Sequence, residues 1–307
     1  MKMKTLARIL LTTAALSLAS QTFASPAPAA APVGSHYPVG AEGIKGASLP
    51  PPGVYLRDYN FFYTANKVDG LPASANIFAY VQAPRLIWMT KREILGANYG
   101  MDVIVPFAYK NFKIGGASEE NFNLADIQVE PLLLSWHQKQ FDFAAGYAVW
   151  VPSGNFDYSP VNPLKSLTSP GNGYWSHMLT LGGVWYPDEK KTWAVSLLNR
   201  YEICQEQDKT HITPGNMFTL EWGLSRTVAP GVDLGLIGYY QQQVTKDSSS
   251  GSLRAATSRT EVIGVGPEIS ALCKQLGVIT SLRYVYEADA KDRPQGHTIT
   301  LTLTKRF

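Results

Sequence analysis

The residue types that most often carry chemistry are present here, but not at spacings that would let them act together. His36, His137, His177, His211 and His297 are scattered, and none is placed two or four residues from a partner ligand on one face, as a readable zinc site requires. Ser176 and His177 are sequence neighbours, so in a strand they point to opposite faces and cannot form a nucleophile and base pair. The chain has no G-x-S-x-G, no P-loop and no dinucleotide fingerprint. These patterns point away from an enzyme, a cofactor or a metal centre. What stands out instead is a set of charged residues inside otherwise apolar stretches: Asp102, Asp126, Glu130, Asp142, Arg200, Glu202, Glu221, Asp233, Glu268, Arg283 and Glu287.

The elements that must hold those charges follow from period-two patterning. In Ile299-Thr300-Leu301-Thr302-Leu303-Thr304 apolar and polar residues alternate without exception, and Phe141 to Val149, Phe218 to Leu224 and Ala97 to Tyr109 each place most of their large apolar residues on one side, with Asp142 and Gly146, Thr219, Glu221 and Gly223, and Asn98, Gly100 and Asp102 on the other. Twelve such segments can be marked, at roughly 53–64, 75–90, 96–110, 122–137, 141–151, 174–187, 192–205, 215–228, 231–244, 259–271, 276–288 and 296–307, each bounded by turn-forming residues. The connections alternate between long and short. The fold class predicted is therefore all-β: a transmembrane, antiparallel, up-and-down β-barrel of about 12 strands with short periplasmic turns and longer external loops. In such a barrel the apolar register meets lipid and the eleven charged residues line the lumen, because a charge facing hydrocarbon is costly. Each of them is equally readable as a structural ion pair filling a narrow interior.

Three further features agree with an outer-membrane location in a Gram-negative cell. Residues 1–24 carry Lys2, Lys4 and Arg8, then an apolar stretch and Thr22-Phe23-Ala24, the pattern of a secretory signal peptide. With those three cations removed, the formal net charge of +3 falls to about zero, which argues against nucleic acid as a partner. Aromatics including Tyr55, Tyr59, Phe61, Phe62, Tyr63, Trp88, Trp136, Trp150, Trp175, Trp185, Trp193, Tyr284 and Tyr286 fall mostly near segment ends, where interfacial girdles are expected. The chain ends on Phe307, which resembles the signal read by the barrel-insertion machinery. Residues 25–52 are rich in Pro, Ala and Gly and cannot form a strand ladder. A periplasmic tail is expected for 25–40, with 41–52 left open between tail and small plug, both termini in the periplasm, and the barrel at 53–307. Cys204 and Cys273 are placed at opposite ends of the barrel, too far apart for a disulfide.

VPSGNFDY (151–158), GNGYW (171–175), RYEICQEQDKTHITPG (200–215) and LGLIGYYQQQVTKD (234–247) together resemble the signature stretches of the outer-membrane family labelled for the meta-pathway of phenol degradation, and 83–107 is similar to that family's second and third strands. The resemblance covers roughly 42–307. It implies an outer-membrane barrel that admits small aromatic or other hydrophobic compounds, embedded in the outer-membrane bilayer, with no agreed catalytic residues; loops 152–173 and 206–214 become candidates for the external mouth. The expected function is passive, selective uptake of such a solute. The rival is a structural or surface-binding barrel whose lumen is occluded by its own side chains.

Overall fold

The computed structural model describes residues 34–70 and 74–307; the expected signal peptide and residues 25–33 of the expected tail lie outside the described residues. The chain forms a closed barrel of twelve antiparallel strands. They are β1 (Gly53–Val68), β2 (Ala75–Ile94), β3 in two pieces (Ala97–Ile104 and Phe107–Ile114), β4 in two pieces (Ala117–Leu124 and Ile127–His137), β5 (Phe141–Val151), β6 (Ser176–Trp185), β7 (Trp193–Cys204), β8 (Met217–Ala229), β9 (Val232–Gln243), β10 (Glu261–Cys273), β11 (Val278–Lys291) and β12 (Pro294–Arg306). Each strand pairs with the next in sequence, and β1 closes the ring on β12 from Tyr55 opposite Arg306 to Val68 opposite Pro294. Among the described residues one short helix, α1 (Pro163–Thr168), lies in the β5–β6 loop.

Side-chain alternation follows the sequence pattern. In β8, Thr219 and Glu221 are buried and Leu224 is exposed; in β5, Asp142 is buried between the exposed Phe141 and Phe143. The loops 152–175, 205–216 and 244–260 gather at one end, the external one for a barrel of this kind. Two external connections depart from the long-short expectation. Between β3 and β4 only Gly115 and Gly116 remain, and between β11 and β12 only Asp292 and Arg293, because the strands there continue as hairpins beyond the predicted segment ends. Gly115 and Gly116 both have positive φ, 58° and 86°, the conformation a two-residue hairpin turn needs to match strand twist. Both breaks, at Val105–Pro106 in β3 and Ala125–Asp126 in β4, sit where the barrel wall gives way to this hairpin.

The aromatic expectation needs correcting. Trp88, Trp175, Trp185, Trp193, Tyr284 and Tyr286 are exposed on the outer face, but Tyr55, Tyr59, Phe61 and Trp150 are buried inside. Nor is the outer face uniformly apolar: Asp58 and Asn60 of β1 form a polar cluster there with Tyr80 and Gln82 of β2, Asn60 and Gln82 both donating to Asp58 Oδ2 and Tyr80 donating to Asn60. Cys204 and Cys273 are free thiols.

The β6–β7 turn at the opposite end is organised by Asp188. Its carboxylate accepts from the backbone N–H of Trp193 and of Thr192, at 2.8 and 2.9 Å, and from the Thr192 hydroxyl at 2.8 Å. The backbone donors of Trp193 and Thr192 hold its pKa down to about 2. A depressed carboxylate stabilises the fold above its unfolded value near 3.9, and loses that contribution as pH falls toward the folded value. The Asp188→Ala variant is therefore expected to have a lower urea midpoint than the parent at pH 7, with the difference closing by pH 2; a difference that stayed constant would show that the turn does not depend on the ionised group.

Candidate functional site

From Gly34 onward the chain runs inside the barrel, entering the described structure at the loop end and descending to Pro52 before turning into β1. At the top, Tyr174 donates to the Gly34 carbonyl at 2.7 Å. His36 is held between Glu202 (Nδ1 to Oε1, 2.7 Å) and Asp126 (Nε2 to Oδ2, 3.1 Å), and Ser35 also donates to Glu202. Lower down, Tyr37 and the Gly40 amide donate to Glu221, the Ile44 amide donates to Glu268, and Lys45 pairs with Asp233 at 2.7 Å. Near the turn end Ser48 donates to Asp142, and Leu49 packs on Tyr55, Ile87 and Met89. So residues 34–40, expected as a tail, lie in the lumen, and the described chain starts at the loop end rather than in the periplasm. The physical reason is charge: a surplus of buried carboxylates on the wall is met by backbone N–H groups, Lys45, His36 and hydroxyls of this inner segment.

Every one of the eleven charged residues singled out from the sequence faces the lumen, and all but the half-buried Asp233 are buried. Eight of them, Asp126, Asp142, Arg200, Glu202, Glu221, Asp233, Glu268 and Arg283, contact the inner segment directly; Arg283 does so by donating to the Gly40 and Ala41 carbonyls. Arg200 donates to both Tyr37 and Glu221, at 2.8 and 2.9 Å. Asp102 and Glu130 instead converge on Arg85. Glu287 turns to the wall, accepting from Tyr63, Arg293 and the Gly296 amide. Arg200, Glu202, Arg283 and Glu287 do not form one charged ring at the mouth, since each has separate partners.

The sequence reading missed the residues at the centre of this network. Arg85 of β2 donates to Glu42 of the inner segment at 3.0 Å, to Glu130 at 3.0 Å and to Asp102. Glu42 also accepts from Arg57 at 3.1 Å and from Tyr59 at 2.9 Å, and lies 3.8 Å from Arg200. A signal for Arg85 existed: it shares the register of the buried Ala83 and Ile87, opposite to that of the exposed Leu86 and Trp88. No comparable signal marks Glu42, which lies outside any strand pattern. A trace of the inner segment is nevertheless present on the wall at Gly182 of β6, where a Cβ would fall 2.7 Å from that of Ala47.

Between the inner segment and the inner faces of β1 to β7 lies a chamber of about 170 Å³. Tyr37, Tyr59, Phe61, Trp150 and Met178 form one continuous apolar cluster along it, with Val81 and Ile104 packed against them. Arg85, Glu42 and Arg200 also line it, Pro170 and Asn172 come from the β5–β6 loop, and Lys110 projects from the second piece of β3. That loop is knitted to 205–216, as Gln207 donates to the Asn172 carbonyl and Lys209 to that of Phe156.

A closed twelve-strand barrel with an apolar outer belt and a charged, segment-threaded lumen defines a transmembrane β-barrel of the outer membrane. The chain matches the family described as "Putative MetA-pathway of phenol degradation" over residues 62–303 and belongs to it. Its fold is similar to that of the COG4313 outer membrane channel from Pseudomonas putida F1, with a TM-score of 0.73 at 13% identity over 89% of this chain and 100% of that one. It is also similar to the beta domain of the Bordetella autotransporter BrkA, with a TM-score of 0.53 at 10% identity over 84% of this chain and 100% of that one. No curated protein matches the chain by sequence.

Proposed function

We propose that this protein is a passive channel for small aromatic or similarly compact hydrophobic solutes, needing neither cofactor nor energy source. The observation that carries the reading is the aromatic-walled chamber in the lumen. An apolar cavity of about 150 Å³ is enough to hold benzene, so the 170 Å³ here is of single-ring size. The family description, which names phenol degradation, agrees with such a solute. On this reading residues 1–24 are a signal peptide, the inner segment up to residue 52 is a small plug, 53–307 is the barrel, and Phe307 serves insertion.

The inner segment itself favours a second reading, a structural or surface-binding barrel with an occluded lumen, because it occupies the space a permeant would cross. Proteoliposomes separate the two. The channel reading expects benzyl alcohol and phenol to equilibrate faster across vesicles containing the folded protein than across protein-free vesicles, and faster than a sugar of several rings does. Equal rates with and without protein, for every solute tried, would leave the occluded barrel.

A further inference from the structure

We propose that the lumen chamber is a binding site for a single-ring aromatic carboxylate, with Lys110 and Trp150 as its anion-side contacts. The inference rests on reading this chamber as the solute site and narrows its ligand. Four donors that line the chamber have unused hydrogen-bonding capacity. Trp150 is 5% exposed and its Nε1 has no partner. Arg85 Nε and Arg200 Nε are likewise buried without partners, although the rest of each guanidinium is engaged by carboxylates. Lys110 makes one hydrogen bond, to the Ser169 carbonyl at 2.6 Å, which leaves two of its three N–H groups, and it has no ion pair among the described residues.

Of the lining carboxylates, Asp126 and Glu42 are fully engaged, while Glu130 accepts from Arg85 and Gln128 through one oxygen only. Asp126 accepts from the Gly154 and Asn172 amides and from His36. Glu42 has both oxygens engaged by Tyr59, Arg85 and Arg57. A chamber with surplus donors and a half-buried ammonium that forms no ion pair among the described residues is complementary to an acceptor-rich anion, since a charge-assisted hydrogen bond is strong. The ring is selected by the remaining wall: His36 stacks on one face of Trp150 and Arg200 covers the Tyr37 ring, which leaves Tyr59, Phe61 and the other face of Trp150 to meet an aromatic body. A carboxylate without a ring forfeits that wall, and a ring without a carboxylate leaves the donors unmet.

The test is calorimetric titration of the folded, detergent-solubilised full chain with benzoate, benzyl alcohol, toluene and acetate. Saturable one-to-one benzoate binding is expected, at least about tenfold tighter than any of the other three. Lys110→Met should weaken benzoate at least about tenfold while leaving toluene nearly unchanged, and Trp150→Phe, which keeps a ring but removes the donor, should weaken benzoate several-fold. Toluene binding as tightly as benzoate to the parent protein, or no benzoate binding at all, overturns the proposal without needing any variant. Equal benzoate affinity in Lys110→Met, with the folded barrel shown by heat-modifiable gel mobility, also overturns it. The vesicle measurements keep this apart from the channel reading: phenol permeation without benzoate binding refutes the site alone, while benzoate binding without permeation of any solute refutes the channel alone.

Discussion

Replacing Arg85 with Met is expected to cost the barrel about 3–5 kcal/mol, the scale seen when one partner of a buried ion pair is removed. The guanidinium is the shared cation of Glu42, Asp102 and Glu130, which come from the inner segment, β3 and β4, and both Arg85 and Asp102 are at most 5% exposed. Arg57 and Arg200 still reach Glu42 after the substitution, so the loss falls on Asp102 and Glu130. These two oppose one another across the β3–β4 ladder, and that ladder already shifts register beside Asp102. Without the cation between them, two carboxylates face each other in a narrow interior. The readout is the urea midpoint of the folded, heat-modifiable band in detergent. Arg85→Lys should recover only part of the loss, because an ammonium cannot reproduce the forked geometry that spans three carboxylates. An unfolding free energy within about 0.5 kcal/mol of the parent, the scale of an ordinary surface substitution, would mean the network is solvated and contributes little.

That network also shows which parts of the molecule are legible in a single sequence. Strand number, order and facing are carried by local alternation, so Asp142 between Phe141 and Phe143 could be assigned inward without knowing any partner. Strand ends are less local. The β3–β4 hairpin continues through Lys113 and Ser118, polar residues that read as loop when alternation is the criterion, because beyond the bilayer a ladder no longer needs an apolar face. Trp150 looked interfacial from its place near a strand end. It is interior because it lies in the same register as Asp142 and Ala148, and register outweighs position. The inner segment was the least legible. Its fit depends on long-range pairings, His36 with Asp126 and Glu202, Tyr37 with Glu221, Lys45 with Asp233, whose partners are spread over β4, β7, β8 and β9. Nothing in Pro-, Ala- and Gly-rich composition announces such pairings, and only the inward glycine at 182 and the excess of wall carboxylates hint that something must fill the lumen.

Locking the inner segment to the wall should abolish solute passage, and freeing it should raise it. If the barrel conducts, a solute leaving the chamber toward the periplasm meets Ala41, Glu42 and the residues below them, which occupy the axis down to Leu49. Passage then requires the segment to shift. Ala47 and Gly182 are the natural pair to bridge: a Cβ at 182 falls 2.7 Å from that of Ala47, closer than the roughly 3.8 Å of a disulfide, and 2.6 and 2.8 Å from Leu198 Cδ1 and the Leu197 carbonyl oxygen. Both the inner segment and β6 must therefore shift to accept it, and the reduced double-cysteine protein is first checked for the folded, heat-modifiable band. In Ala47→Cys/Gly182→Cys, with Cys204 and Cys273 replaced by Ser, oxidation is expected to reduce phenol equilibration in vesicles to the protein-free rate, and reductant to restore it. Glu42→Ala works in the opposite direction. It deletes the one carboxylate of the segment that Arg57, Arg85 and Arg200 share, while Arg85 keeps Asp102 and Glu130 and Arg200 keeps Glu221. The wall therefore retains most of its pairing as the segment loses its central anchor, and faster equilibration with larger single-channel currents is the expected result. Should the oxidised double-cysteine protein, with its bridge verified by mass, pass phenol as fast as its reduced form, the segment is a fixed part of the wall and solute takes a path beside it.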